Sequence, residues 1–278
     1  MTDIHPGTGR RAQHADHTYV DVGCHRLRVD VAGSGPPLLL LMGLGGNLEM
    51  WQPLRDALPG RELITFDNPG TGGSSTPPFP LSIPQHAAVA ARALQVLGYD
   101  CVDVLGVSWG GVVAQQLAIA RPQRVRRLVL ASTVAGAMAW PGRPSVLRRM
   151  MTPRRYYSRE YFERVAPHIY GGRARREPAS LQHEAQVRLA RPPSLRGYFG
   201  QILAISTFTT APLLHRIQAP TLVLTGDDDP LVPLVNARLL AALIPDATLH
   251  VVAGGGHLVL FDSTDEVGTV IDTFLGRR

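Results

Sequence analysis

Lysine is absent from this chain of 278 residues: all 28 of its basic side chains are arginine, against 22 acidic ones, for a formal charge of +6. A basic excess can draw a protein to an anionic surface, a membrane or a nucleic acid. No nucleic-acid-binding motif accompanies it here, so nucleic acid is not the expected partner. The excess reads first as arginine spread over a solvated surface, with a denser patch between Arg143 and Arg176. Cysteine is nearly absent. Cys24 and Cys101 make neither a disulfide framework nor a metal-ligand spacing, which points to two free thiols in a reducing compartment. Cys101 opens a predicted strand and is expected to be buried.

Long apolar runs are missing as well. The longest, Leu38 to Leu44, is interrupted by Gly43 and is far too short to span a bilayer. Met1 to His17 is polar, and no apolar stretch follows its Arg10-Arg11 pair, so it does not read as an export signal. The expectation is a soluble, cytoplasmic chain with a loose first segment, residues 1–17.

What the chain does have is an ordinary apolar content of 45% and a regular alternation of patterns. Thr18–Val22 and Leu27–Val31 read as a hairpin about Gly23. Continuous apolar runs, as in strands buried on both faces, follow at Pro37–Met42, Leu63–Phe66, Val102–Val107, Val125–Ala131, Thr221–Thr225 and Thr248–Val252. Helical segments are predicted at Ile83–Leu97, Gly110–Ala120, Pro233–Leu243 and Thr264–Leu275. Strand and helix alternate, which predicts an α/β fold with a mostly parallel sheet and helices on both faces. Residues 134–206 break the pattern with arginine, proline, tyrosine and short helical stretches. They are expected to form a helical lid over the carboxyl ends of the strands, between core parts 18–133 and 207–278.

Gly106-Val107-Ser108-Trp109-Gly110-Gly111 fits G-x-S-x-G between a predicted strand and a predicted helix, the context of a nucleophile elbow. A serine hydroxyl needs a base to take its proton and a carboxylate to orient that base. In a fold of this kind the chain order is nucleophile, acid, base. The turn Gly226-Asp227-Asp228-Asp229-Pro230 supplies the acid. Asp229 is preferred because the following proline biases it out of helical geometry, and Asp228 is the second choice. The base is His257, on the Gly254-Gly255-Gly256 turn after the last strand; the other nine histidines have no matching context. Oxyanion donors are expected from the backbone N–H groups of Trp109 and of Leu44, in the loop Gly43-Leu44-Gly45-Gly46. The Gly-rich run from Asp67 to Ser75 lacks both G-x-G-x-x-G and a P-loop lysine, and reads as a structural loop shaping the site floor. No metal or cofactor is called for.

The runs Asp67–Ser75, Asp103–Gly111 and Thr225–Pro230, with Val235-Asn236-Ala237-Arg238, resemble the intracellular poly(3-hydroxyalkanoate) depolymerases. So do Tyr170-Gly171-Gly172 and Pro192–Tyr198 in the inserted segment, and the likeness runs from about Thr18 to Leu275. It implies an α/β-hydrolase fold with an eight-stranded sheet, and a storage polyester of medium-chain 3-hydroxy acids as substrate, cut inside the cell. The oxyanion loop departs from the wider superfamily in carrying Met42 where histidine is usual. Other readings of the same residues are a general carboxylesterase or lipase, a cofactor-free haloperoxidase or C–C hydrolase, and an inactive granule-binding protein. Aspartate would be needed at position 108 for a haloalkane dehalogenase. The aromatics of the insertion (Tyr156, Tyr157, Tyr161, Phe162, Tyr170, Tyr198, Phe199) read mostly as its own small core, and its arginines as a possible grip on a granule surface.

Overall fold

The computed structural model describes residues 18–276, so the expected loose segment 1–17 lies outside the described residues. Eight strands form one sheet in the order β1-β2-β4-β3-β5-β6-β7-β8. They are β1 (Thr18–Val22), β2 (His25–Gly33), β3 (Pro37–Leu41), β4 (Glu62–Phe66), β5 (Val102–Val107), β6 (Val125–Ala131), β7 (Thr221–Gly226) and β8 (Ala247–Val252). Within this sheet β1 on β2 and β2 on β4 pair antiparallel, and from β4 to β8 it is parallel.

The helices are α1 (Gln52–Ala57), α2 (Ile83–Val96), α3 (Trp109–Ala120), α4 (Pro144–Met150), α5 (Arg159–Tyr170), α6 (Gly172–Arg176), α7 (Gln182–Ala190), α8 (Leu195–Ser206), α9 (Leu234–Leu243), α10 (Val259–Asp262) and α11 (Thr264–Gly276). The short helices α1 and α10 were not expected from the sequence.

Alternate residues of the central strands feed two apolar layers, because successive side chains leave opposite faces of a strand. Leu39, Leu41, Ile64 and Val104 pack with α2, α3 and α9 on one face. Leu38, Leu40, Leu105 and Val129 pack with α1, α10 and α11 on the other. Each fully buried leucine contributes about 2 kcal/mol of transfer free energy.

Between β6 and β7 the chain leaves the sheet and forms α4 to α8. Ser158 caps α5 by accepting from the Tyr161 N–H at 3.2 Å, and Ser194 caps α8 by accepting from the Gly197 N–H at 3.0 Å. This segment has its own core, built on Val146, Phe162, Ile169, Tyr170 and Leu181. Of the seven aromatics singled out in it from the sequence, Tyr156, Phe162, Tyr170 and Tyr198 are buried.

Cys101 is exposed, against expectation, because β5 begins one residue later and leaves Cys101 in the preceding turn; Cys24 is exposed as well. Among the described residues no helix is long and apolar enough to cross a membrane.

Candidate active site

Ser108 stands between the end of β5 and the start of α3 with φ 53° and ψ −121°. Positive φ is rare for a residue with a Cβ, and holding it costs on the order of 1–3 kcal/mol. The neighbouring glycines make the turn possible. A methyl group at Gly106 would fall 2.5 Å from the Gly110 carbonyl oxygen, and one at Gly110 would fall 2.1 Å from that of Leu41. The Ser108 hydroxyl projects from this tight turn toward His257.

His257 Nε2 lies 3.1 Å from Ser108 Oγ, and its Nδ1 lies 2.7 Å from Asp229 Oδ2. The second Asp229 oxygen accepts from the backbone N–H groups of Leu231 and Val232, each at 2.9 Å. That carboxylate is wholly buried, yet every contact it makes is to a donor. Asp228 is spent elsewhere: it pairs with Arg175 and accepts from the Gly172 N–H. Asp227 is exposed and accepts from the Gly254 N–H at 2.6 Å. Of the three aspartates only Asp229 reaches the histidine.

The N–H of Trp109 sits in the first turn of α3, where backbone donors have no partner within the helix. Leu44 faces the same space, since the loop from Gly43 runs against Ser108. A methyl group at Gly43 would touch Ser108 Cβ at 3.4 Å. The inserted segment clamps this loop. The Tyr156 hydroxyl donates to the Leu44 carbonyl, and Gln201 Oε1 accepts from the Gly45 N–H at 2.8 Å. Asn47 donates to the carbonyls of Val187 at 3.0 Å and Arg191 at 3.2 Å. His257 is tied to the same segment, its N–H donating to the Tyr170 carbonyl at 2.7 Å while the two rings stack.

Two cavities meet at Ser108. An outer cleft of about 450 Å³ is walled by Trp140, Leu147, Met151, Ile202 and Ile205, and is largely apolar. An inner pocket of about 40 Å³ is walled by Met42, Met50, Tyr156, Tyr170, Arg155 and Arg188, and opens on both Ser108 and His257.

The loop from Asp67 to Ser75 does not form the site floor, as none of its residues lines either cavity. Its buried carboxylate explains the difference. Asp67 accepts from Arg28 at 2.6 Å, from the Leu48 N–H at 2.8 Å and from the Gly73 N–H at 2.7 Å, so it braces the oxyanion loop from outside. Arg28 in turn holds Glu49 through both of its terminal nitrogens.

The arginines of the insertion divide: Arg148, Arg149 and Arg164 border a surface pocket together with His168, while others are buried or paired. Arg155 is fully buried, and Arg159, Arg173 and Arg175 pair with Glu163, Glu177 and Asp228. Tyr156, Arg155, Arg188 and Gln201 were not singled out as site residues from the sequence; only their packing reveals them.

Residues 36–264 match the family described as alpha/beta hydrolase fold. The chain is 49% identical to a poly(3-hydroxyalkanoate) depolymerase of Ectopseudomonas oleovorans over 86% of this chain and 84% of that one. It is 31% identical to a putative carbamate hydrolase, RutD, of Azorhizobium caulinodans over 93% of this chain and 98% of that one. The solved enol-lactonase of Burkholderia xenovorans superposes with a TM-score of 0.81 at 25% identity, covering 94% of this chain and all of its own. With the sheet order, the serine turn and these matches in agreement, the chain belongs to the α/β-hydrolase family.

Proposed function

We propose that the protein is a serine ester hydrolase acting on a polyester of 3-hydroxy acids, with Ser108 as nucleophile, His257 as base and Asp229 as the acid that orients it. The observation that carries this reading is the hydrogen-bonded series Asp229–His257–Ser108 opening on an apolar cleft. It stands in a chain 49% identical to a poly(3-hydroxyalkanoate) depolymerase.

With Nδ1–H directed at Asp229, the Nε2 lone pair of His257 faces Ser108 and takes its proton. Ser108 Oγ then bonds to the ester carbonyl carbon. The N–H groups of Leu44 and Trp109 take the negative charge that moves onto the carbonyl oxygen. As the tetrahedral intermediate collapses, the bond to the alcohol oxygen breaks, and His257 returns the proton to that oxygen. A water molecule, deprotonated by His257, attacks the acyl-serine, frees the acid and restores the serine.

The apolar walls of the outer cleft suit an alkyl side chain of the polyester. Exposed Met138, Trp140 and Met151 beside it suit contact with a greasy polymer surface, as on a storage granule in the cytoplasm.

The test is to incubate medium-chain polyester granules, and p-nitrophenyl esters from acetate to dodecanoate, with the wild type and Ser108→Ala. Release of 3-hydroxy acids by the wild type, lost by at least about 10³-fold in the variant, is expected. Hydrolysis of small esters with untouched granules would reduce the reading to a plain carboxylesterase.

A further inference from the structure

The inner pocket holds a charge that the mechanism above does not use. Arg155 and Arg188 both line it, and both are nearly inaccessible to solvent. Arg188 has a carboxylate partner, Glu184, at 2.9 Å, and donates to the Tyr156 hydroxyl at 3.2 Å. Arg155 has none among the described residues. It donates to the Tyr198 hydroxyl at 2.6 Å and only distantly to the Thr152 carbonyl, at 3.5 Å. Its Nε is buried and unbonded.

The aromatic rings around the two guanidiniums do not neutralise them. Tyr156 and Tyr198 lie under Arg155, and Tyr156, Phe162 and Tyr170 lie under Arg188. Burial pushes the Tyr198 phenol up to about 12 and the Tyr170 phenol upward as well, so both are uncharged near neutral pH. Their ring faces soften the cost of a buried cation without supplying an anion. Among the described residues no carboxylate lines the pocket, and Asp229 behind His257 is committed to that histidine and two backbone donors. The pocket therefore carries one positive charge in excess. A buried, unpaired guanidinium is costly, and a bound anion would offset that cost. The space of about 40 Å³ exceeds what one water needs and admits a group the size of a carboxylate.

We propose that the inner pocket is an anion subsite in which Arg155, assisted by Arg188, takes the free carboxylate of a hydroxy acid: the chain end of the substrate before cleavage, and the released acid after it. The assignment of a hydroxy acid rests on the function proposed above; the preference for a carboxylate rests on the pocket alone. Planar guanidinium against planar carboxylate gives paired, directional hydrogen bonds, which a neutral ester or amide end cannot return. The subsite would favour ester bonds near a carboxyl terminus over those inside a long chain.

The experiment compares two inhibitors of p-nitrophenyl butyrate hydrolysis, 3-hydroxyoctanoate and 3-hydroxyoctanamide, in the wild type and in Arg155→Met. The carboxylate is expected to inhibit the wild type at least about 10-fold more tightly than the amide, and the ratio is expected to fall toward one in the variant. Equal inhibition in the wild type would overturn the proposal, as would an unchanged ratio in Arg155→Met. Should Arg155→Met fail to fold, the wild-type pair still decides. A carboxylate preference in an enzyme that leaves polyester intact would keep the subsite and remove the polyester reading. Polyester cleavage with equal inhibition would do the reverse.

Discussion

The backbone N–H of His257 donates to the carbonyl of Tyr170 at 2.7 Å, so the histidine that faces Ser108 is anchored to the last residue of α5. The two strands of chain approach closely enough that only glycine fits beside them. A methyl group at Gly256 would fall 2.3 Å from that same carbonyl oxygen. Gly256→Ala must push α5 and the His257 turn apart. Ester hydrolysis is expected to fall by about 10–100-fold, since displacement of a reacting group by roughly 1 Å has that effect. The melting temperature should drop in the same variant, measured by thermal denaturation.

The buried carboxylate and its neighbour separate cleanly. Asp229→Asn keeps the shape but removes the charge facing His257 Nδ1, and kcat is expected to fall by about 10³–10⁴-fold. Asp228→Asn loses only the charge that pairs with Arg175, since an amide oxygen can still accept from the Gly172 N–H, and kcat should stay within about threefold. Steady-state kinetics on one p-nitrophenyl ester distinguish the two. A large loss in Asp228→Asn would move the acid to that position.

Gln201 holds the oxyanion loop through its acceptance from the Gly45 N–H, and its own backbone carbonyl accepts from the Trp109 indole at 2.9 Å. Gln201→Met preserves the volume and leaves the Gly45 N–H without a partner. The loop then loses its set, and kcat is expected to fall by about 10-fold with KM little changed, because the oxyanion is formed only during reaction. Unchanged kcat would mean that Tyr156, Asn47 and Asp67 fix the loop without Gln201.

Two partly or fully buried titratable groups pull stability in opposite directions. Burial, with a contribution from His25, pushes His86 down to about 3. Between that value and the ordinary histidine range the unfolded chain binds a proton that the fold does not, so His86 makes stability rise with pH and acts in full above about 6.5. Burial, with the charge of Glu184, pushes Asp262 up to about 6. Between the ordinary aspartate range and that value the fold holds the extra proton, so Asp262 makes stability fall as pH rises. Replacing His86 by Gln should lower the slope of unfolding free energy between pH 4 and 6 by about one proton, or about 1.4 kcal/mol per pH unit. Replacing Asp262 by Asn should raise it. Urea denaturation across that range measures both.

Much of the architecture was legible because it is written in local pattern. Apolar runs of strand length predicted β3 to β8 to within a residue or so; β3 to β7 lie inside the sheet, where a covered strand can carry little else, while β8 at the edge is only partly buried. Gly106 and Gly110 announced the turn at Ser108, because the backbone there forbids a Cβ on either side. The departures have a common origin in packing. An arginine at 155 looks like any surface arginine until the chain folds the Pro153–Tyr156 turn under α8, where Tyr198 meets it. Asp67 reads as one polar residue in a Gly-rich loop, and only the approach of Arg28 from β2 makes it a buried hub. Helices α1 and α10, of six and four residues, are too short for a periodic signal to develop.

The inserted segment grips the loop at Leu44–Asn47 on one side and the turn at His257 on the other. Its detachment would break several buried hydrogen bonds at once, each worth about 0.5–1.5 kcal/mol. Insertion and sheet are thus parts of one cooperative unit. Heating should give a single calorimetric transition, with the segment persisting as long as the sheet does and losing its order in the same step.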